Sequence, residues 1–292
     1  MKGKKAKLST KISALAFAFA SFSHASVADS HAPLTLTSPS GNIKVTVNAE
    51  NGVSYQVAFN GKQIIAPSQI DLILQNTPSL AQMHQVSGVT HDSLKQELFP
   101  EVRVKSKKIV DHYQQMTITF SNNYAVEFRA YDNGVAYRFV TQFSDPITVV
   151  NEVAEFNFSP SASVYYPLEE SFYSHNERSY LHQDIGNIKV TDLASTPTLI
   201  DTDGGKVLIT ETALHDYAGM WLLGDGHDGL QATFPRQPSK VVAGEIEWID
   251  RNQPVVERHN YLAKTDGTRA FPWRVLAIAE NDTDLLTNQL TY

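Results

Sequence analysis

Cysteine is absent from the whole chain of 292 residues, so no disulfide framework and no thiolate metal site is available. Long apolar runs are also missing: after the first thirty residues no segment approaches the roughly 18 uncharged apolar residues that a membrane-spanning helix needs. Helical periodicity is scarce, and there is no internal repeat, low-complexity tract or evident linker. Stability must therefore come from one hydrophobic core, which the 42% hydrophobic content can supply.

The N-terminus has the composition of an export signal. Lys2, Lys4, Lys5, Lys7 and Lys11 precede an apolar run over 12–22, which is too short to span a bilayer. Small residues at Ser23 and Ala25 match the cleavage pattern, so residues 1–25 are expected to be removed and the mature domain, 26–292, to be exported to the periplasm. The formal charge of −7 includes those five lysines, and removing them leaves about −12. Such an acidic domain speaks against nucleic acid and suits a neutral, cationic or sugar-like ligand.

Period-two alternation dominates the remainder. Ile43, Val45 and Val47 alternate with polar residues; Tyr55, Val57 and Phe59 repeat the pattern and run into Asn60-Gly61, a strong hairpin signal. Further alternating sets are Ile70/Leu72/Leu74, Val102/Val104, Met116/Ile118/Phe120, Tyr124/Val126/Phe128 and Val135/Tyr137/Phe139, with turn residues at 121–123 and 132–134. Strands recurring about every ten residues with turn chemistry between them predict antiparallel sheets packed face to face. Short helices are expected only at 93–99 and 283–290, the latter with Asp282 or Thr283 as N-cap.

Several stretches invite a chemical reading. "IDTDGGK" at 200–206 has the opening of a calcium loop, but its twelfth position from Asp201 is Thr212, where a bidentate glutamate is needed; a hairpin turn is the better reading, as it is for "GDGHDG" at 224–229. His175 and His182 are seven apart, a spacing that no helical zinc pair uses. With His215 they could instead serve acid and base chemistry on a sugar, as in aldose-epimerase sandwiches. The densest stretch is "YYPLEESFYSHNERSY", residues 165–180, with three carboxylates, four tyrosines and a phenylalanine. Aromatic faces stack on sugar rings, and carboxylates take sugar hydroxyls or a hard cation; equally, such residues can be core aromatics and solvated glutamates.

"FRAYDNGVAYRF" (128–139), "LTSPSGNIKVTV" (36–47), "ETALHDYAGMWL" (211–222) and "TRAFPWRVLAIAENDTDLLTN" (268–288) together make the chain resemble the N-terminal domain of glycoside hydrolase family 97 over nearly all of 34–292. The resemblance implies an all-β, galactose-mutarotase-like super-sandwich with a few short helices. It also implies an exported enzyme acting on α-glucosides or α-galactosides, in which the sandwich packs on a catalytic (β/α)8 barrel. The chain stops at Tyr292, about where that barrel should begin, so no catalytic residue is assigned and the chain alone is expected to be inactive.

By the same resemblance, one sandwich glutamate reaches across to an active-site calcium held mostly by the barrel, in a loop of the pattern Tyr-x-x-x-Glu-x-x-Tyr. "YSHNERSY" (173–180) carries that role to Glu177, with Glu169 and Glu170 as weaker alternatives; Tyr173, His175 and Tyr180 become candidate contacts to an α-linked glucose or galactose oligosaccharide. Two other readings stay open. One is a stand-alone carbohydrate-binding module using Phe172, Tyr173, Tyr180 and Trp221, and the other is the epimerase-like enzyme.

Overall fold

The computed structural model describes residues 33–83, 85–244 and 253–292; the expected signal segment 1–25 lies outside them. Two ten-stranded sheets, antiparallel at every pairing, face each other across a single large core. The first runs Leu34–Thr37, Ile43–Asn48, Val53–Phe59, Lys62–Leu74, Ile147–Asn157, Gly229–Thr233, Trp221–Gly224, Leu193–Ala194, Leu168–Glu169, with Ala263–Thr265 added beside Ile147–Asn157. The second runs Leu181–Asp184, Ser163–Tyr166, Thr198–Thr202, Gly205–Thr212, Trp273–Ala279, Gly134–Gln142, Tyr124–Tyr131, Ile109–Phe120, Val86–Leu98, with Thr268–Ala270 beside Gly134–Gln142. Pro238–Val241 and Val255–Arg258 form a separate two-stranded ribbon.

The alternation in the sequence becomes the inward and outward faces of these strands. Ile43, Val45 and Val47 are fully buried, whereas Lys44 between them is exposed. Asn60 and Gly61 both take positive φ (49° and 80°), the conformation of a two-residue hairpin whose twist matches its strands. Asp132 and Asn133 join Tyr124–Tyr131 to Gly134–Gln142 equally tightly. Tyr55 from the first sheet meets Phe128 and Tyr137 from the second, with ring centroids 6.0 and 5.3 Å away. Both aspartate-glycine stretches are hairpin turns, one between Thr198–Thr202 and Gly205–Thr212, the other between Trp221–Gly224 and Gly229–Thr233.

Three local expectations are corrected. Residues 93–98 are strand, because Val86–Leu98 pairs residue by residue with Ile109–Phe120; the Leu94/Leu98 spacing mimics a helical stripe, but the ladder bonds decide the backbone. Val102 and Val104 lie in the irregular tip of that hairpin, where Pro100 offers no donor and no partner strand is present; Val102 is largely exposed. The C-terminal helix spans Asp282–Thr287, and its N-cap is Asn281, whose Oδ1 accepts the Asp284 amide at 3.1 Å.

One strand is buried on both faces. Trp273–Ala279 sends Arg274, Leu276 and Ile278 inward. On its outer face Trp273 and Val275 pack with Ala136 and Leu290 from the C-terminal segment. The guanidiniums of Arg129 and Arg138 lie 4.5 and 4.4 Å from the Trp273 ring. Inside, Arg274 spans the two sheets: Nε and Nη2 donate to Glu152 at 2.6 and 2.7 Å, and Nη1 donates to Glu211 at 2.5 Å.

Candidate functional site

Residues 170–180 leave the end of the first sheet at Leu168–Glu169 and enter the second at Leu181–Asp184. The loop therefore bridges the edges of both sheets. Asn176 supplies the reversal with φ of 58°, a left-handed conformation that asparagine tolerates better than most residues. Next to it, at the crest, stands Glu177, whose side chain is 85% exposed; its neighbour in the loop is the His175 ring, with Nδ1 4.0 Å from Oε2.

The flanks of the loop are tied down. Glu169, the last residue of its strand, has a side chain with no solvent exposure and accepts Arg178 Nε at 2.7 Å and the Ser195 hydroxyl at 3.3 Å. Burial pushes the Glu169 carboxyl up, but hydrogen bonds from Ser174, Arg178 and Ser195, with the Arg178 charge, outweigh it and hold the group below the usual carboxylate range. Phe172 packs edge to face on Trp221, 5.4 Å between centroids, and the Tyr180 hydroxyl donates to the Pro197 carbonyl at 3.1 Å. Tyr173 and Tyr180 remain about half exposed, and Leu168 and Leu181 beside them are similarly open.

These contacts separate the candidate residues. Glu177 is free to meet a ligand from outside; Glu170 is also exposed; Glu169 is neutralised by Arg178 and is not an available donor. Among the described residues no three His, Cys, Asp or Glu side chains converge to hold a metal. The loop thus presents single carboxylates and no complete shell for a hard cation, which takes six to eight oxygens in the case of calcium. Tyr165 and His182 face each other across neighbouring strands and stack at 4.2 Å, with His182 Nε2 3.1 Å from the Ser163 hydroxyl.

His215 belongs elsewhere: it lines an open cleft of about 370 Å³ with Arg138, Asp266 and Arg269, and neither His175 nor His182 borders it. His215 is therefore not grouped with His175 or His182 in that cleft. Phe172 and Trp221 pack at 78° to each other, so these two rings do not form one coplanar surface, while Tyr173 and Tyr180 stay half exposed. Sequence reasoning overlooked the Glu169–Arg178 pair and the Arg274 network. The signal for the second was present, since one arginine interrupts the otherwise apolar "WRVLAIA" strand.

Two large antiparallel sheets packed as one unit define a super-sandwich domain. Residues 36–292 match the family described as "Glycosyl-hydrolase 97 N-terminal", and the chain belongs to glycoside hydrolase family 97 as its N-terminal domain. It is similar to a retaining alpha-galactosidase of Bacteroides thetaiotaomicron, 32% identical over 270 residues, with 88% of this chain and 40% of that protein covered. Among solved structures, a family 97 enzyme from Pseudoalteromonas sp. strain K8 in complex with acarbose superposes with a TM-score of 0.70 at 22% identity, covering 88% of this chain and 38% of the other. A beta-arabinopyranosidase gives the same TM-score at 17% identity, with 85% and 40% covered. The chain thus spans about two fifths of the length of the relatives it matches. No helix among its described residues is long and apolar enough to cross a membrane.

Proposed function

We propose that this domain completes the active site of an exported, periplasmic family 97 glycosidase. In this reading it packs on a catalytic barrel, closes one side of the pocket and lends the Glu177 carboxylate to a calcium ion held otherwise by the barrel. The observation that carries the reading is the crest of the 170–180 loop. There a carboxylate that is 85% exposed, with only the long His175 contact at 4.0 Å among the described residues, stands among half-exposed Leu168, Tyr173, Tyr180 and Leu181. An apolar surround with one unsatisfied acidic group suits a docking rim better than a solvated face.

Calcium, when bound, supplies a fixed positive charge beside the reacting sugar. The chain's own contribution is to orient one oxygen donor and to exclude water from one wall of the pocket, with Tyr173, His175 and Tyr180 placed to meet an α-linked glucose or galactose oligosaccharide. By itself the chain neither hydrolyses glycosides nor binds calcium appreciably. The test is glutamine at the position of Glu177 in a full-length relative that has glutamate there. Calcium-dependent activity should fall and the calcium requirement should rise; unchanged activity and metal response would remove Glu177 from the site. Titration of the purified chain with maltooligosaccharides should give no saturable heat, and a saturating isotherm would favour an independent binding module.

A further inference from the structure

We infer that Glu169 and Arg178 form a clamp that fixes the position of the loop crest, making both of them positioning residues for Glu177. The inference rests on the reading of Glu177 as a shared ligand, since only then does the crest position matter. Arg178 directly follows Glu177, so its backbone cannot shift without carrying Glu177 along. Its Nε is held at 2.7 Å by a carboxylate that is completely buried at the end of a strand and gripped from the other side by the Ser195 hydroxyl at 3.3 Å.

An exposed ion pair would give little rigidity, because both side chains remain mobile and solvent screens them. Here one partner is immobile and dry. Withdrawal of Arg178 would leave a buried carboxylate without its cation, which is costly, so the open loop is disfavoured well beyond the value of a surface pair. The closed segment 170–177 is pinned at its far end by Phe172 on Trp221 and turns at Asn176. Glu169, although placed in the same acidic stretch as Glu177, therefore acts through Arg178 and not on the metal.

The absence of cysteine allows a direct test on the chain itself. Nitroxide labels at Glu177→Cys and at Lys44→Cys, an exposed position on the paired strand Ile43–Asn48 of the first sheet, report the distance from crest to scaffold. The parent should give one narrow distance distribution. Glu169→Gln and Arg178→Ala should each lose it in favour of a broad one. The double variant, which leaves no buried charge and keeps the test readable if a single variant fails to fold, should be no broader than the worse single, because both changes cut the same link. A distribution that stays narrow in all variants overturns the clamp. An unchanged activity and calcium response in the Glu177→Gln experiment would instead overturn the ligand reading, and the two failures are separately visible because the distance measurement needs no metal.

Discussion

Arg274 is the side chain whose loss the fold should tolerate least. It is wholly buried, takes both oxygens of Glu152 across the sandwich and one oxygen of Glu211 beside it on the neighbouring strand. Burial acts to weaken its charge, but the two carboxylates outweigh that and hold it more firmly protonated than free arginine. Glu211 is pushed above the usual carboxylate range by burial, with Arg274 and the Met220 amide pulling it back. Glu152→Gln removes the bidentate partner and leaves the cation with Glu211 alone. Breaking such a pair costs about 3 kcal/mol, which in a domain of this size lowers Tm by roughly 6–12 °C. Arg274→Met should have a different signature. Without the cation, the buried Glu211 carboxyl, already raised by burial, holds its proton in the folded state at a pH where the unfolded chain has released it. The folded state then binds more protons, so stability falls as pH rises above about 4.5, by up to about 1.4 kcal/mol per pH unit for each extra proton. Chemical denaturation of the purified chain and both variants between pH 5 and 8 reads this. If the Arg274→Met profile runs parallel to the parent's, or Glu152→Gln costs less than about 1 kcal/mol, the network is not the staple that its geometry describes.

The loop acid gives the opposite pH dependence. The Glu169 pKa is depressed in the fold, so the stability it contributes is present above the unfolded carboxylate value and is lost as pH falls through the folded value; Glu169→Gln should flatten the acid limb of the stability curve, and an unaltered limb would refute the assignment. Gly134→Ala places a Cβ 2.5 Å from the Leu276 carbonyl oxygen, which belongs to a paired strand and cannot yield, and 2.4 Å from the Leu290 side chain; destabilisation of about 1–3 kcal/mol by urea unfolding is expected, and a neutral result would show that the C-terminal segment is not seated on the sheet. Gly61→Ala should cost about 1 kcal/mol through its positive φ of 80°, with no steric component because nothing lies within 4 Å of the added methyl.

Much of the sandwich was legible because its strands obey a period of two and its turns carry asparagine and glycine where positive φ is needed. The misreading at 93–98 has a physical cause. At 93–98 the side chains are mostly exposed, so no inward face imposes alternation, and the strand exists through backbone pairing with Ile109–Phe120. Sequence pattern reports burial, and an edge hairpin that projects from the core has little burial to report. Asn281 was missed as the helix cap by one residue, the ordinary consequence of several capping-competent residues in a row over 281–284.

The blocks that make the family recognisable turn out to converge on the scaffold. Glu211 and Arg274, from two of them, meet inside the sandwich; Arg129, Arg138 and Trp273 meet on its outer face. Arg274 ties the second sheet to Glu152 on the first, and the outer-face cluster ties neighbouring strands of the second sheet to one another, so these residues serve the scaffold. The site lies in the stretch between them, where the composition of 165–180 shows acidic and aromatic density but not which acid is free. That distinction depends on Ser195 and Arg178 reaching the same carboxylate, one from a different loop and one from nine residues along the chain. No local pattern encodes the first of these contacts. Glu169 and Glu177 are chemically identical in the sequence, and burial alone divides them into the residue that holds the loop and the residue that the loop presents.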